Sequence, residues 1–543
     1  MATYKTPGVY VEEISTMPPS VAEVETAIPA FIGFTEKGIL NLPKKIKSLK
    51  EYEEFFGKAD LQKGIKVIMD SEKDPTDNTK TLETVVDVLV EDPSKNVMYY
   101  ALQLFYSNGG GPCFIVSAGN YAQSSAAGVT TYTDAIDASS KIDEVTLIVL
   151  PDAPFCLDAT QNYYDVMNHA LKECARLGDR FAIVDVIEDG DTDASIQLFR
   201  DAISANENEV KYAAAYYPYL NTDVAYTYDL TADDSFSVLS SDASDNGAAA
   251  GVFDNAMTNA VHLRSLATQA RKEATKLKKI SDGLQATDPN KAQATADTAA
   301  AATRSTESDT AATQAETAAA NLENALKKKK FADLNNLSKN KIKQKISDLG
   351  IQLTPCSAIA GVYASVDNAR GVWKAPANVS LTLINSTNAT ITNYDQQGMN
   401  VDVIAGKSVN AIRPFIGKGI LVWGARTLDG NSNEWRYISV RRFFNMVEKS
   451  VQNSTYWAVF EANDKNTWVK VRAMIENYLI LKWKDGALAG DKPDDAFFVR
   501  VGLGQTMTAD DVLNGLMIIE IGMAAVRPAE FIVLKFSHKM QTS

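Results

Sequence analysis

The chain has 543 residues, of which 45% are hydrophobic and 22% are charged, a composition typical of soluble globular proteins. At about 150 residues per domain, this length predicts about three structural units. The 68 acidic residues outnumber the 54 basic ones and give a net charge of −14. We therefore expect no nucleic-acid partner, because binding to a phosphate backbone requires a basic surface.

The sequence contains no pattern typical of a membrane segment or a metal site. The N-terminal stretch MATYKTPGVYVEEIS lacks an apolar core of signal-peptide length. No run approaches the roughly 18 uninterrupted apolar residues of a membrane span. The four cysteines and three histidines are scattered without metal-ligand spacing. We expect synthesis to end in the cytoplasm, with no direct membrane insertion, no cofactor, no metal and no catalytic residue.

The first predicted element is a free strand in the N-terminal segment TPGVYVEEIS. Val9 and Val11 alternate with Tyr10 and with Ile14 on the two faces of this strand, and a Pro-Pro pair then ends the pattern. Residues 1–20 are therefore predicted to be an arm that is separate from the body of the protein.

Residues 21–234 and 346–376 are predicted to form a central α/β domain. The segment AIPAFIGFT at 27–35 is typical of a buried strand, and from about residue 96 helical and apolar strand patterns alternate as far as residue 220. Continuous apolar strands separated by helices indicate a sheet that is covered on both faces, with parallel strands joined by crossovers.

Two acidic residues of this domain, Asp152 and Asp185, follow consecutive predicted strands. Open α/β sheets bind ligands at the carboxyl ends of their strands, and two carboxylates there can hold Mg²⁺ for phosphoryl chemistry. The structural alternative is that an Asp after a strand caps the next turn. No Lys- or Ser-bearing phosphate motif accompanies the pair, so an α/β hydrolase or phosphatase using Asp152 and Asp185 is kept as the alternative function.

Residues 235–345 form a segment rich in Ala, Thr, Ser, Asp and Lys that cannot build a thick core of its own. It is predicted to be either an inserted surface α-hairpin or a disordered tract with frayed helical ends. The helical alternative depends on apolar residues at alternating spacings of three and four: Leu263, Leu266, Ala270, Leu277, Ile280 and Leu284.

Residues 377–527 are predicted to form a C-terminal α+β domain. Its main elements are a strand at 418–427, a helix at 437–451, a second helix between Trp468 and Trp483, and a strand at 496–502. Basic residues cluster on the two helices: Arg441, Arg442, Lys465, Lys470 and Arg472. Such a cluster is either a solvated face or a surface that docks an acidic partner.

The last predicted element is a second free strand, in the arm at 528–543. Ile532, Leu534 and Phe536 alternate with Phe531 and Val533, so both faces of this strand are largely apolar. Unpaired strands of this kind promote aggregation unless some sheet receives them.

Taken in order, several motifs resemble those of the sheath proteins of contractile phage tails and of related phage-tail-like injection systems. They are TPGVYVEEI, AIPAFIGFT, FYSNGGGPCFIVS, GVYASVDNARGVWKAPAN, GILVWGARTL, WRYISVRRFFNMVEKSV, FEAND and RPAEFIV. The segment 235–345 departs from the family pattern, so the resemblance implies nothing about it. A type VI secretion sheath is a further alternative, although such sheaths are built from two chains and this chain carries both arms.

The resemblance implies a structural protein rather than an enzyme. It implies a helical homopolymer of stacked hexameric rings around an inner tube protein, with baseplate and tail-terminator or cap proteins as further partners. The particle would be a phage tail or injection system whose subunits are synthesised in the bacterial cytoplasm. In that family the arms add strands to sheets of neighbouring subunits, which assigns strand exchange to Val9, Tyr10, Val11, Ile14, Phe531, Ile532, Val533, Leu534 and Phe536. The basic cluster Arg441, Arg442, Lys465, Lys470 and Arg472 is assigned to the tube contact.

The expected fold class is multidomain, α/β and α+β. It combines a central α/β domain, an inserted helical surface segment, and a sheath-type C-terminal α+β domain completed by exchanged N- and C-terminal strands.

Overall fold

The structure is a computed structural model that describes residues 20–74, 76–189, 191–204, 206–241, 248–285, 288–402 and 405–533. It divides into two compact units. The larger unit consists of Ala27–Ala369 and Pro376–Ile438, and the smaller unit consists of the described residues within Met1–Thr26, Arg370–Ala375 and Ser439–Ser543. The prediction that 377–438 belong to the C-terminal domain is therefore wrong. The strands of this segment, including the one expected at 418–427, pair within the main sheet of the larger unit.

The larger unit contains the following strands, in chain order: β1 (Pro29–Thr35), β2 (Lys44–Ile46), β3 (Ile65–Asp74), β4 (Asp77–Val90), β5 (Cys113–Asn120), β6 (Leu147–Val149), β7 (Phe181–Asp185), β8 (Ala213–Tyr217), β9 (Leu220–Thr222), β10 (Phe236–Ser240), β11 (Lys327–Lys329), β12 (Gln352–Leu353), β13 (Val379–Ser380), β14 (Ile384–Thr387), β15 (Val409–Phe415) and β16 (Gly419–Trp423). The helices up to residue 400 are α1 (Leu49–Phe56), α2 (Met98–Ser107), α3 (Val129–Ser139), α4 (Ala153–Cys156), α5 (Thr160–Leu177), α6 (Thr192–Ala202), α7 (Glu207–Val210), α8 (Ala248–Gly283), α9 (Lys291–Ala325), α10 (Asn336–Leu349), α11 (Cys356–Arg370) and α12 (Asn393–Asn400).

The main sheet has the strand order β13-β16-β15-β8-β7-β6-β1-β5-β2 over the described residues. The pairs from β15 through β5 are parallel, and the outer pairs β2–β5, β15–β16 and β13–β16 are antiparallel. Every residue of β1 is buried, as a strand covered on both faces requires. The predicted α/β architecture is thus confirmed.

Helices cover both faces of this sheet. One core contains residues from β1, α1, α2 and α11: Phe31, Tyr52, Leu102 and Ile359. The other contains residues from β1, α3, α5 and α6: Ile32, Tyr132, Met167 and Phe199. Neighbouring residues of one strand therefore point into opposite cores, because side chains alternate across a sheet.

A second sheet, with the order β11-β10-β3-β4, carries the inserted segment. The chain leaves this sheet after β10, forms the long helices α8 and α9, and returns as β11, so the helical alternative is the one that the structure has. Buried alanines recur along both helices, at Ala260, Ala267, Ala301, Ala312 and Ala319. Ala267 has no exposed surface, whereas the neighbouring Leu266, a member of the predicted stripe, is 42% exposed. No helix within the described ranges is both long and apolar enough to cross a membrane.

The smaller unit is a helical layer with a strand pair. Its elements are α13 (Ile438–Ser454), α14 (Lys465–Lys484), α15 (Pro493–Ala496), β17 (Phe497–Val501), α16 (Ala509–Leu513) and β18 (Ile519–Met523). Its core brings together residues of α13 and α14 with the inner face of the strands: Phe443, Met446, Val471, Ile475, Leu479 and Val499. The apolar stripe predicted for the second helix is thus the buried face of α14.

Candidate assembly interface

The smaller unit contains a ribbon of two antiparallel strands, β17 and β18. Val499 and Val501 of β17 are buried against the helices, which leaves Phe498 and Arg500 on the outer face. Within the described residues, each of these strands pairs with no strand other than the other one. Two-stranded ribbons are marginally stable in water, and open edges present free N–H and C=O groups to an incoming strand.

The outer face of the ribbon is organised around Phe498. The ring lies over Gly522 on the opposite strand, where any β-carbon would come within 2.2 Å of it. The guanidinium of Arg500 lies 4.4 Å from the centre of the same ring and 3.6 Å from the carboxylate of Glu520. These contacts hold the two strands together on the solvent side, and no other strand among the described residues covers the ribbon edges.

The chain leaves the ribbon as an exposed apolar segment. The amide of Ala524 donates to the carbonyl of Ala496 at 2.9 Å, which ties down the residue after β18. Further on, Phe531, Ile532 and Val533 are 72%, 80% and 76% exposed, and they belong to no strand in the part of the chain that the structure describes. Three consecutive large apolar side chains in solvent are typical of an interaction segment. Leu534 and Phe536, the other predicted exchange residues of this arm, lie outside the described residues.

The segment that follows the N-terminal arm is fastened to α13. The amides of Ala22 and Val24 donate to the hydroxyls of Ser454 and Ser450, each at 3.1 Å. The guanidinium of Arg442 donates to the carbonyl of Thr26 at 2.8 Å. The base of the arm is therefore fixed to the same unit as the ribbon. The predicted exchange residues Val9, Tyr10, Val11 and Ile14 lie outside the described residues.

The predicted basic cluster divides into a buried and an exposed part. Arg441 and Arg442 are buried, so their assignment to an exposed contact surface is wrong for this conformation. Arg441 donates to Asn445 at 2.7 Å and pairs with Glu448 at 3.0 Å. The spacing to Asn445 and Glu448 along one helix was a signal for internal pairing that the sequence contained.

The remaining basic residues, Lys465, Lys470 and Arg472, are exposed on α14. This helix begins after Asp464, whose side chain accepts hydrogen bonds from the amides of its first turn. Arg472 pairs with Glu476 at 2.7 Å, four residues further along the helix. Lys465 and Lys470 have no ion pair within the described part of the chain, so they are the strongest remaining candidates for contact with an acidic partner.

Asp152 and Asp185, which carried the alternative enzymatic hypothesis, are buried in the larger unit. The carboxylate of Asp152 accepts hydrogen bonds from the amide of Phe34 at 2.7 Å and from the hydroxyl of Tyr132 at 3.0 Å. Asp185 accepts from the amide of Cys356, the first residue of α11, at 2.9 Å. Burial raises the pKa of each carboxyl to about 7. No cluster of three or more possible metal ligands occurs in the described residues, and both carboxyls bind the chain's own backbone.

Residues 431–539 match the family model of the phage tail sheath C-terminal domain. The matched region includes both α13 and α14 and the ribbon, and it extends over the exposed residues Phe531 to Val533. The predicted resemblance is confirmed on this part of the chain.

Curated relatives share part of the sequence. The tail sheath protein of Vibrio phage KVP40 is 27% identical over 121 residues, which cover 22% of this chain and 18% of that protein. The tail sheath protein of Enterobacteria phage T4 is 26% identical over 136 residues, which cover 25% of this chain and 20% of that protein. The matched segment thus spans about a fifth of the length of each curated relative.

Solved structures resemble the chain over nearly its whole length. The PVC sheath complex of an extracellular contractile injection system, in its contracted state, has a TM-score of 0.57 and 25% identity, with 99% of both chains covered. A chain of the anti-feeding prophage baseplate has a TM-score of 0.56 and 26% identity, with 99% of this chain and 100% of that chain covered. The relatives are structural sheath components and not enzymes, which supports the prediction that this chain is not an enzyme.

Proposed function

We propose that this chain is a structural subunit of a contractile tail sheath. It polymerises as stacked hexameric rings around an inner tube and contracts to drive that tube through a target envelope. Two findings on relatives support this proposal. The structure of the PVC sheath complex is of a contracted state, and the similar chain of the anti-feeding prophage belongs to a baseplate determined with six-fold symmetry. Baseplate, inner tube and terminator or cap proteins are accordingly the proposed partners.

The single observation that carries the assembly mechanism is the exposed segment Phe531–Val533 next to an open two-stranded ribbon. A donated strand of about six residues makes about four ladder bonds, each contributing a net ~1 kcal/mol, and buries apolar side chains besides. One arm therefore contributes several kcal/mol to a contact between subunits. Because such a link is heterologous, it propagates into rings and helices instead of closing a dimer.

In this proposal both arms pair with neighbouring copies by β-strand addition. The N-terminal arm contributes Val9, Tyr10, Val11 and Ile14. The C-terminal arm contributes its alternating apolar residues: Phe531, Ile532, Val533, Leu534 and Phe536. The open edges of β17 and β18 are the receiving sites, and the arms keep neighbouring subunits linked while the bodies rearrange during contraction.

Two truncations test the arm mechanism. Deleting residues 1–16 or 531–543 removes one donated strand, so we expect folded subunits with an unchanged melting temperature that form no tubes. Deleting only residues 540–543, beyond the predicted strand, is the matched control and should preserve assembly. Negative-stain microscopy and circular dichroism provide the two measurements. Regular tubes from either long truncation would refute the mechanism.

Contact with the inner tube is proposed for Lys465, Lys470 and Arg472 of α14. Their exposure in a chain of net charge −14 favours an acidic partner surface, to which they would bind in a salt-sensitive way. Reversing all three residues to Glu should release the tube from the sheath at low salt without preventing sheath assembly. The control reverses Lys484 and Lys492, which are also exposed on the sheath domain. Undiminished tube retention in the triple variant would dismiss this assignment.

A further inference from the structure

Lysines are concentrated immediately after the α8–α9 hairpin. Residues 327–345 contain eight of them, in a chain whose net charge is −14: Lys327, Lys328, Lys329, Lys330, Lys339, Lys341, Lys343 and Lys345. Part of this run has a plain structural explanation. Strand β11 is the edge of the four-stranded sheet, and lysines on an edge strand discourage pairing with other chains. This explanation does not extend to the lysines of α10.

Two lysines of α10 face a cleft of about 600 Å³ in the larger unit. The cleft lies between α10, the turn after β11 and the segment that leads into β10. Its principal lining residues are Asp233, Phe236, Lys330, Phe331, Lys339 and Lys343. A volume of this size is typical of small-molecule sites.

The aromatic residues of the cleft hold one of these lysines in place. Phe236 and Phe331 are stacked with ring centres 4.1 Å apart, and Tyr228 meets Phe236 edge to face at 5.5 Å. The ammonium of Lys339 lies 5.9 Å from the ring centre of Phe331 and donates to the carbonyl of Ala332 at 2.7 Å. The rings thus contact one another and hold the ammonium of Lys339 at the cleft.

The lysines of the cleft are only partly neutralised. Lys330 lies 3.4 Å from the carboxylate of Asp233. Among the described residues, no carboxylate forms an ion pair with Lys339 or Lys343, which are four residues apart on one face of α10. Like charges at this spacing destabilise a helix, and Lys339 also lies in the first turn, where the helix dipole disfavours cations. A bound anion would relieve both costs.

We propose that this cleft binds a phosphate-type oxyanion with at least two negative charges, through the ammonium groups of Lys339 and Lys343. Lysine is a compact point charge that is well suited to phosphate oxygens. The phosphate belongs either to a free polyvalent ion or to the headgroup of an anionic lipid. The site lies in the segment that departs from the sheath pattern, and it depends on no part of the assembly mechanism.

The test is isothermal titration of the full chain with sodium pyrophosphate at about 0.15 M salt, where long-range attraction is screened. Replacing Lys339 and Lys343 by Gln should weaken binding by about tenfold or more, since each removes a charge-assisted hydrogen bond. The control replaces Lys328 and Lys341, which are exposed, do not line the cleft and carry the same charge. It should bind within about twofold of the unchanged chain, because charges beyond the contact are screened. The single variant Lys343→Gln guards against misfolding, because within the described ranges Lys343 makes no bond comparable to that of Lys339 with Ala332.

Absence of pyrophosphate binding to the unchanged chain would overturn the proposal. Equal weakening of pyrophosphate binding in both double variants would also overturn it, because that result indicates a nonspecific cationic surface. Citrate binding as tight as pyrophosphate binding would overturn it as well. Co-sedimentation with phosphatidic acid vesicles, against phosphatidylcholine vesicles, identifies the source of the phosphate. If the chain sediments with phosphatidic acid vesicles and pyrophosphate inhibits this sedimentation, the ligand is a lipid headgroup. If the chain binds pyrophosphate but does not sediment with the vesicles, the ligand is a free ion. The variant lacking 531–543 should bind pyrophosphate with the same affinity as the full chain. Failure of the proposed sheath function is therefore distinguishable from failure of the proposed phosphate site.

Discussion

The main sheet and the α8–α9 hairpin are stabilised in different ways, although both belong to the larger unit. The sheet is packed with large side chains, and the rings of Phe31 and Phe105 meet edge to face at 5.0 Å between β1 and α2. The hairpin contains helices of 36 and 35 residues that pack through alanines such as Ala267 and Ala312. Each buried alanine removes little apolar surface from water, so the hairpin gains far less per residue from burial.

The comparison indicates how a chain can carry a long insertion without a second thick core. Small residues let the two helix backbones approach closely, and ion pairs such as Arg271–Asp309 lie on the outside of the hairpin. At its root, the large apolar side chains of Phe253 and Leu326 pack on the second sheet. We therefore expect the hairpin to open at a lower free energy than the main sheet, which can be tested in the unassembled variant lacking 531–543.

The largest expected effect concerns a buried carboxyl of the main sheet. The pKa of Asp185 rises from 3.8 to about 7 on burial, so the folded state binds its proton more tightly than the unfolded state does. Its contribution to stability is complete below pH 3.8 and is lost as the pH rises towards 7. This loss amounts to at most about 4 kcal/mol. Part of the contribution is already lost at pH 5, so urea denaturation should show Asp185→Asn gaining clearly more stability over the unchanged chain at pH 8 than at pH 5.

The matched variant is Asp152→Asn, at the neighbouring strand end. Both oxygens of Asp152 accept hydrogen bonds, whereas Oδ2 of Asp185 has no hydrogen-bond partner within the described ranges. An amide can replace the carboxyl of Asp185 without losing an acceptor, but at Asp152 it leaves one donor unsatisfied. The ionised carboxylate of Asp152 uses both oxygens as acceptors, so at pH 8 Asp152→Asn should gain about 1–3 kcal/mol less stability than Asp185→Asn does. Identical behaviour of the two variants would contradict this explanation.

Much of the main sheet could be predicted because strands buried on both faces are continuous apolar runs. The segment 27–35 contains β1 for this reason, and β7 and β8 lie in the predicted alternation of strands and helices between 96 and 220. The hairpin of β3 and β4 was not predicted. The sheet to which β16 belongs could not be predicted either, because strand partners depend on the tertiary topology and not on the local pattern.

The candidate interface was predicted unevenly. Charge alone cannot distinguish Arg441, which is neutralised internally by Glu448, from Lys465, which is exposed. Likewise, a spacing of three and four marks a helix face but does not determine which of two adjacent stripes meets the partner helix. Leu266 and Ala267 are neighbours, and only the structure identifies the alanine as the contact.

A smaller effect is expected at this helix contact. Ala267→Leu adds side-chain volume where the helices touch, which should force them apart and cost about 1–3 kcal/mol. The control Leu266→Ala alters an exposed position one residue away and should change stability by less than about 0.5 kcal/mol. Hydrogen exchange of the amides in 248–325 measures local opening of the hairpin. Greater loss of protection in Leu266→Ala would show that the leucine stripe is the true contact.

The smallest effect is expected at the exposed ion pairs of the hairpin. Arg271 is 54% exposed and Asp309 is 29% exposed, and surface pairs of this kind contribute little because water and salt screen them. Arg271→Gln should leave the melting temperature and the hydrogen exchange of the hairpin unchanged within error. At the root, by contrast, the ammonium of the buried Lys66 lies 2.7 Å from the carboxylate of Glu91 and 3.2 Å from that of Glu323. Lys66→Gln leaves both carboxylates without their cation, so it should open the hairpin. If Arg271→Gln opened the hairpin as readily as Lys66→Gln, the outer ion pairs rather than the root and the alanine contact would hold the two helices together.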